Sequence, residues 1–348
     1  MQRSRSMSVV FSGLRMFGAV ALIGGLGSGV LGCNGELAQA EARPKVLRPQ
    51  TVELSEVPAP EPTVQAPDTY RLKEMTKTAV VKPLVSYPER DFDLSEVRWT
   101  VPRAMGIADL ASQWGLSAKM LRKLNPDLRG HKRVREGDEL RVYAEDLAAP
   151  TRSLGAPNRG KLEGGVPLPE GDSWRLRQRR VRVYGGKVMV ESLMQAFEAY
   201  GAAYSNAPEV RLGDLSDRNG GRLAPHKSHR TGRDVDIGYV LLPETRGERY
   251  WQRADEQSFD AEKNWFLVKA LVETGNVQQI FMSVRLQKLI MPLAERELSP
   301  DQMARYFRRA NPDPRSPSII KHWKGHLDHM HVRFRCEEGN ARCVSRSR

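Results

Sequence analysis

The pattern of apolar and polar positions changes character several times along the chain, and the changes divide it. The first apolar run, Met16 to Gly32, holds no charge and follows Arg3, Arg5 and Arg15. A basic start and a short apolar stretch are the pattern of a secretory signal, too short for a good spanning helix. Across 33–95 the periodicity lapses, and Pro58, Pro60 and Pro62 alternate with Ala and Glu. Such a stretch cannot bury enough apolar surface to offset its ordering entropy, so a disordered linker is expected. The pattern returns in 96–145. Val97–Val101 reads as a strand, and Ile107, Leu110, Ala111 and Trp114 fall at helical spacing before Gly115. Met120, Leu121 and Leu124 give a second short helix that Asn125-Pro126 ends. Glu136-Gly137-Asp138 then turns the chain into a strand over Leu140–Tyr143. Pro150, Gly155, Pro157 and Gly160 mark 146–160 as a second linker.

Residues 161–348 form the main domain. Val181–Tyr184 reads as a strand. Val188–Tyr200 reads as a helix with Val190, Leu193, Met194 and Phe197 on one face. A buried strand is expected at Val235–Leu242, a helix at Ala261–Glu273 and a strand at Val277–Met282. Helices at Leu286–Ala294 and Gln302–Ala310 and a closing strand at His331–Phe334 follow. Strands and helices that do not alternate regularly predict an α+β fold.

Composition narrows the function classes. The 348 residues include 55 Lys and Arg against 42 Asp and Glu, a net charge of +13, which points to a polyanion or an anionic surface as partner. Three cysteines exclude a cysteine-rich zinc finger and a disulfide-dense miniprotein. No run of ~18 apolar residues follows residue 40, which excludes a polytopic membrane protein. Val30-Leu31-Gly32-Cys33 resembles a bacterial lipobox, and that resemblance implies cleavage after residue 32 and lipid on Cys33. An ordinary signal cleaved near Ala38 or Ala40 is the alternative. The expectation is a periplasmic lipoprotein held to a membrane by acyl chains. Asn34 in place of Asp leans toward the outer membrane, and export makes nucleic acid an unexpected partner.

Candidate chemistry lies in the histidines. Seven occur in the chain, and five of them fall in two short clusters, His226-Lys-Ser-His229 and His326-Leu-Asp-His329-Met-His331. On a strand, residues two apart share a face. His329 and His331 can therefore enter one cavity while Met330 turns to the core. Asp234 and Asp236 are likewise same-face neighbours, flanked by Val235 and Ile237. His229 precedes that strand in a loop that Gly232 lets fold back. Two imidazoles and one carboxylate meeting there would make a three-ligand zinc site with an open position for water, as a catalytic zinc requires.

Gly213-Asp214-Leu215-Ser216, Gly220-Gly221, His226-Lys-Ser-His229, Gly232-Arg-Asp234-Val-Asp236 and Gly325-His326-Leu-Asp328-His329-Met-His331-Val-Arg333 closely resemble the penicillin-insensitive murein endopeptidase family. The resemblance runs from about Gly164 to Cys343. It implies a zinc-peptidase fold of the lysostaphin, D-Ala-D-Ala carboxypeptidase and Hedgehog type. It also implies hydrolysis of peptidoglycan cross-links such as D-Ala to meso-diaminopimelate, and an activity that penicillin does not block. By position it implies zinc ligation by His229, Asp236 and His331, with His226 a possible further ligand. His329 corresponds to the catalytic histidine, and His226 and His326 to further active-site histidines. Asp234 and Asp328 are candidates to fix imidazole tautomers. Where some members carry Asp-x-x-His toward a second metal, this chain has Asp260-Ala-Glu-Lys263, so one zinc is expected. Cys336 and Cys343 are expected to pair, as the family often has cysteines here. Trp323 is either a wall of the substrate groove or a packing aromatic.

Residues 96–145 resemble a LysM module through Trp99-Thr100-Val101, Ala111–Ser117, Leu124-Asn125-Pro126 and Gly137–Val142. That resemblance implies binding to N-acetylglucosamine-containing glycan, here peptidoglycan. The loop after the first strand departs from the pattern, with Arg103-Ala104-Met105-Gly106 in place of Gly-Asp-Ser/Thr. A D,D-carboxypeptidase trimming stem peptides and a non-catalytic peptidoglycan-binding protein with the same fold are the competing readings.

Overall fold

The computed structural model describes residues 83–345, apart from residue 90 and residues 178–179 and 312–316. The expected signal peptide, Cys33 and most of the expected first linker lie outside the described residues. The class is α+β, as the mixed pattern predicts.

The first unit is a strand, two helices and a strand: β1 (Glu96–Thr100), α1 (Ile107–Gln113), α2 (Ala118–Leu124) and β2 (Glu139–Ala144). β1 and β2 pair antiparallel with Trp99 opposite Leu140. Trp99 and Trp114 meet edge to face at 5.8 Å and form the centre of this small core. The Asn125-Pro126 break has a structural task. Asn125 Nδ2 donates to Leu121 O and Arg141 O, and Asn125 Oδ1 accepts from Arg141 N at 2.8 Å, so one amide joins the end of α2 to β2.

This unit does not hang on a linker. Residues 146–160, expected to connect two domains, instead enter a hairpin of β3 (Arg152–Ala156) and β4 (Arg159–Glu163), with Leu154 and Ala156 buried. Gly155 and Gly160 sit opposite each other there, and a Cβ on Gly160 would lie 2.1 Å from Leu154 O. The glycines that read as linker are the close approach of two strands. The hydroxyl of Tyr184, fully buried, donates to Trp114 O at 2.6 Å, and Lys187 pairs with Glu145 at 2.8 Å. Both contacts join residues 96–145 directly to the main domain.

The main domain continues with α3 (Lys187–Ala203), which buries Val190, Leu193, Met194 and Phe197 as expected. The strand expected at Val181–Tyr184 is corrected. Arg180–Arg182 forms a 3-10 turn, and only Tyr184–Gly185 pairs, with Val166–Pro167. The alternation in Val-Arg-Val-Tyr is not matched by burial, since the adjacent Val183 and Tyr184 both go inward while Arg182 reaches Asp214.

The central sheet comprises β5 (Asp234–Gly238), β6 (Val277–Met282), β7 (Ile320–His322) and β8 (His329–Phe334), in the order β5-β8-β6-β7. The expected strand to Leu242 therefore stops at Gly238. Helix α4 (Ala261–Glu273) lies between β5 and β6 in sequence, and α5 (Val284–Glu297) and α6 (Pro300–Tyr306) lie between β6 and β7. Among the described residues no helix is long and apolar enough to cross a membrane.

The end of the expected first linker is also ordered. Glu273 at the end of α4 accepts from Leu84 N at 2.9 Å and Val85 N at 3.0 Å, one bond to each oxygen. Tyr87 donates to Ala270 O at 2.6 Å, and Val85 and Leu94 are buried. A Glu273→Ala protein should therefore lose about 1–3 kcal/mol of stability, the usual cost of hydrogen bonds to a charged group. The amides of Leu84 and Val85 should exchange faster in hydrogen-exchange measurements, and unchanged exchange there would contradict this anchoring.

Candidate metal centre and active site

β5 and β8 pair antiparallel with Asp236 opposite His331, Asp234 opposite Arg333 and Gly238 opposite His329. Val235, Ile237, Met330 and Val332 are fully buried on one face. By strand alternation Asp234, Asp236, His329 and His331 lie together on the other. Asp236 Oδ1 stands 3.2 Å from His229 Nε2 and 3.1 Å from His331 Nδ1, and those two ring nitrogens are 3.2 Å apart.

The far side of each ring decides what this triangle is. His229 Nδ1 lies 2.7 Å from Leu215 O, and His331 Nε2 lies 3.0 Å from Asp234 Oδ1. Both partners only accept, so both of those nitrogens carry the proton. Each imidazole then turns a lone pair toward Asp236 Oδ1. Three lone pairs meeting at one point repel unless a cation or a proton sits among them. Tetrahedral zinc with ligand bonds of about 2.0–2.1 Å needs donor atoms roughly 3.3 Å apart. The donor set and its spacing fit such an ion.

In the metal-free protein a proton on His331 is the charge that sits among these lone pairs. Burial opposes a charged His331, but its hydrogen bonds to Asp234 and Asp236 outweigh burial and push it up to about 9. Burial would raise Asp236, yet the facing His229 and His331 hold it well below the usual carboxylate range. Asp234, wholly buried, is held low against its burial by Arg333, whose Nε donates at 2.6 Å, and by His331.

The loop carrying His229 is held by the same carboxylate. His229 has a φ of 62°, a left-handed conformation that a non-glycine residue adopts at a cost, and its N–H donates to Asp234 Oδ2 at 3.0 Å. Gly232, with a φ of 66°, completes the fold-back, and a Cβ there would meet Leu162 Cδ2 at 2.8 Å.

Around the triangle stand three more histidines. His226 Nε2 is 2.9 Å from Asp214 Oδ2, so its Nδ1 faces Asp236 Oδ2 at 3.6 Å. Among the described residues His226, His229 and Asp236 form a group whose ligand atoms lie within 4.8 Å of one another and can hold a metal ion. His226 thus stands as a further possible ligand beside the His229–Asp236–His331 triangle. Burial pushes Asp214 up, but His226 and Arg182 together bring it down to about 2. His329 Nδ1 is 2.6 Å from Asp328 Oδ1, which places its proton there and leaves Nε2 facing Asp236 Oδ1 at 3.8 Å. The ring of His326 is 4.8 Å from that of His329. Burial first, and then the facing His329 and His331, push His326 down to about 4, so it is neutral near pH 7.

Other sequence-predicted residues take the following places. Asp260 caps α4 through Lys263 N at 3.0 Å and pairs with Lys263 Nζ at 2.6 Å. Cys336 and Cys343 form a disulfide. Arg233 donates to Phe334 O and Val344 O, which fastens the tail to the end of β8. Trp323 is 60% exposed and meets Phe281 at 5.7 Å, and Phe281 in turn meets His331 at 5.5 Å. Sequence reasoning assigned no role to Asp214, Leu215 O, Arg182, Arg333 or Trp251. The first two lie in the Gly213–Ser216 motif, where an acid beside glycine was the available signal. Trp251, whose ring is 5.6 Å from His329, sits in a loop with no periodicity to mark it.

The raised His331 makes the metal-free protein sensitive to pH. A folded-state value near 9 exceeds the ordinary 6.5, so its stabilisation is fully present below pH 6.5 and lost as pH rises through about 9. The total is on the order of 3 kcal/mol. Thermal unfolding of metal-free protein should show a falling Tm across that window, and Asp234→Asn should flatten the fall. A flat profile in the unsubstituted protein would contradict the His331 contacts.

Comparison with known proteins places this arrangement in a family. A family model described as penicillin-insensitive murein endopeptidase matches residues 153–348. The penicillin-insensitive murein endopeptidase of Haemophilus influenzae is 26% identical over 210 residues, covering 56% of this chain and 67% of that protein. Its namesake in Salmonella arizonae is 28% identical over 207 residues, 55% of this chain and 69% of that protein. The one from Klebsiella pneumoniae strain 342 is 27% identical over 218 residues, 58% and 72%. The matched segment starts in the β3–β4 hairpin and runs through the disulfide-closed tail, so it holds both histidine clusters and the sheet that joins them. On that match, the chain belongs to the penicillin-insensitive murein endopeptidase family.

Proposed function

We propose that this protein is a zinc-dependent endopeptidase that hydrolyses peptide cross-links of peptidoglycan, of the D-Ala to meso-diaminopimelate type. The observation that carries the reading is the meeting of three lone pairs, from His229, Asp236 and His331, beside an imidazole whose proton Asp328 fixes on the far nitrogen. Nitrogen-rich donors favour zinc over magnesium or calcium. A zinc ion held by these residues supplies a Lewis acid and makes water nucleophilic near neutral pH.

The chain's own groups supply the rest. His329 Nε2, kept free by the Asp328 bond, takes the proton from the attacking water and returns it to the departing amine. Asp328 steadies the imidazolium that forms between those two transfers. His326, neutral near pH 7 and beside His329, offers a hydrogen bond to the polarised substrate oxygen. His226, anchored on Asp214, stands beside these ligands and hydrogen-bonds the substrate. Trp323, backed by Phe281, and Trp251 form walls against which an extended peptide can lie.

Residues 96–145 act as a LysM-like peptidoglycan-binding unit, and lipid on Cys33 tethers the protein in the periplasm at the outer membrane. Because Tyr184 and Lys187 join that unit to the main domain, glycan held by the unit would reach the active site in a fixed orientation.

Incubation with purified sacculi, with excess penicillin present, tests the reading. Cross-linked muropeptide dimers should disappear, and His331→Ala should lose zinc and activity together. Release of terminal D-Ala alone would make the protein a carboxypeptidase. No change would make it a binding protein, and full zinc occupancy in His331→Ala would defeat the ligand assignment.

A further inference from the structure

The carboxylate of Asp214 has three donor neighbours and does not need them all. Its Oδ2 receives His226 at 2.9 Å and Arg182 at 2.7 Å. Arg177 Nη1 reaches its Oδ1 only at 3.3 Å. Arg182 already neutralises the single negative charge, so Arg177 leaves the cluster with a surplus positive charge. Its side chain is 45% exposed, whereas that of Asp214 is 5% exposed.

The surplus charge is held in place. The Arg177 guanidinium lies 5.9 Å from the centre of the Tyr250 ring. Tyr250 is itself fixed, with its hydroxyl 2.7 Å from Leu212 O and 2.8 Å from Arg175 O. The next residue, Trp251, stands against His329 at 5.6 Å. Neighbouring residues of one loop thus carry Arg177 and His329, while Asp214 links Arg177 to His226. Arg177 and His226 thus meet on one carboxylate, and the partly exposed guanidinium is one residue of that loop removed from the aromatic that packs on His329. A planar fork of donors with spare positive charge suits a carboxylate, which it can grip with two parallel hydrogen bonds.

The role of Arg177 rests on the function proposed above. In a D-Ala to diaminopimelate cross-link, the carbon attached to the scissile nitrogen carries a free carboxylate. We propose that Arg177 binds this carboxylate and is a specificity-determining residue, selecting cross-links with the free acid over those in which it is amidated.

Two cross-linked stem dimers test this, one with the free carboxylate beside the scissile nitrogen and one with the carboxamide. Binding of each to zinc-loaded, full-length His329→Ala protein is measured by calorimetry, with Arg177→Gln and Arg177→Lys made in the same background. The carboxylate dimer should bind about 10–100-fold more tightly, as a charge-assisted bidentate contact allows. Arg177→Gln should bring the ratio close to one, and Arg177→Lys should recover part of it. Equal binding of the two dimers, no binding of either, or a ratio that survives Arg177→Gln overturns the assignment. If Arg177 only supported His226, both dimers would weaken together and the ratio would stay, which also overturns it. Turnover of the carboxylate dimer by the unsubstituted protein is measured separately. Absence of cleavage there defeats the peptidase reading, while the binding ratio still decides the role of Arg177.

Discussion

One buried carboxylate organises the centre. Asp234 has no solvent exposure and accepts from three groups: His331 Nε2 at 3.0 Å, Arg333 Nε at 2.6 Å and the backbone N–H of His229 at 3.0 Å. A charge removed from water must be matched by charge and hydrogen bonds, or its burial is costly. Matching it here fixes the proton of His331, holds His229 in a left-handed conformation and secures the β5–β8 register from the side. The triangle of donor atoms one pleat away is a consequence of those three bonds.

A fixed far-side proton recurs at four of the five histidines of the site. Asp214 fixes His226, Leu215 O fixes His229, Asp234 fixes His331 and Asp328 fixes His329. Each acceptor takes the proton-bearing nitrogen, and the other nitrogen is left to face Asp236 or the cleft. Hydrogen bonds to the far side of an imidazole set both its orientation and its basicity. Positive charge accumulates around this centre through Arg177, Arg182 and Arg211, the last two steps out beside Tyr250. An anionic polymer substrate agrees with that distribution and with the net charge of +13.

Much of the centre was legible because strand geometry is simple. A period of two places His329 with His331 and Asp234 with Asp236, and the structure brings all four to one face of the sheet. Helix α4 and strand β6 begin and end where periodicity put them. What escaped depends on contacts distant in sequence. Gly155 and Gly160 read as linker because their close approach is visible only once the two strands pair. Residues 83–95 read as disordered because the Glu273 carboxylate that caps them lies about 190 positions away. Val181–Tyr184 alternates like a strand, yet pairs as one only at its last residue. Trp251 and Arg177 belong to irregular segments, where no period marks a functional side chain.

The central proposal is that two imidazoles and one carboxylate, from His229, His331 and Asp236, hold a single zinc ion, with His226 standing beside them. X-ray absorption at the zinc edge of protein loaded with one equivalent of zinc tests it most directly. The account predicts a nitrogen and oxygen shell at about 2.0–2.1 Å with multiple scattering from two imidazoles, and no sulfur. His226→Ala should leave that signature intact. Scattering from three imidazoles that drops to two in His226→Ala, or a shell of oxygen alone, would contradict it.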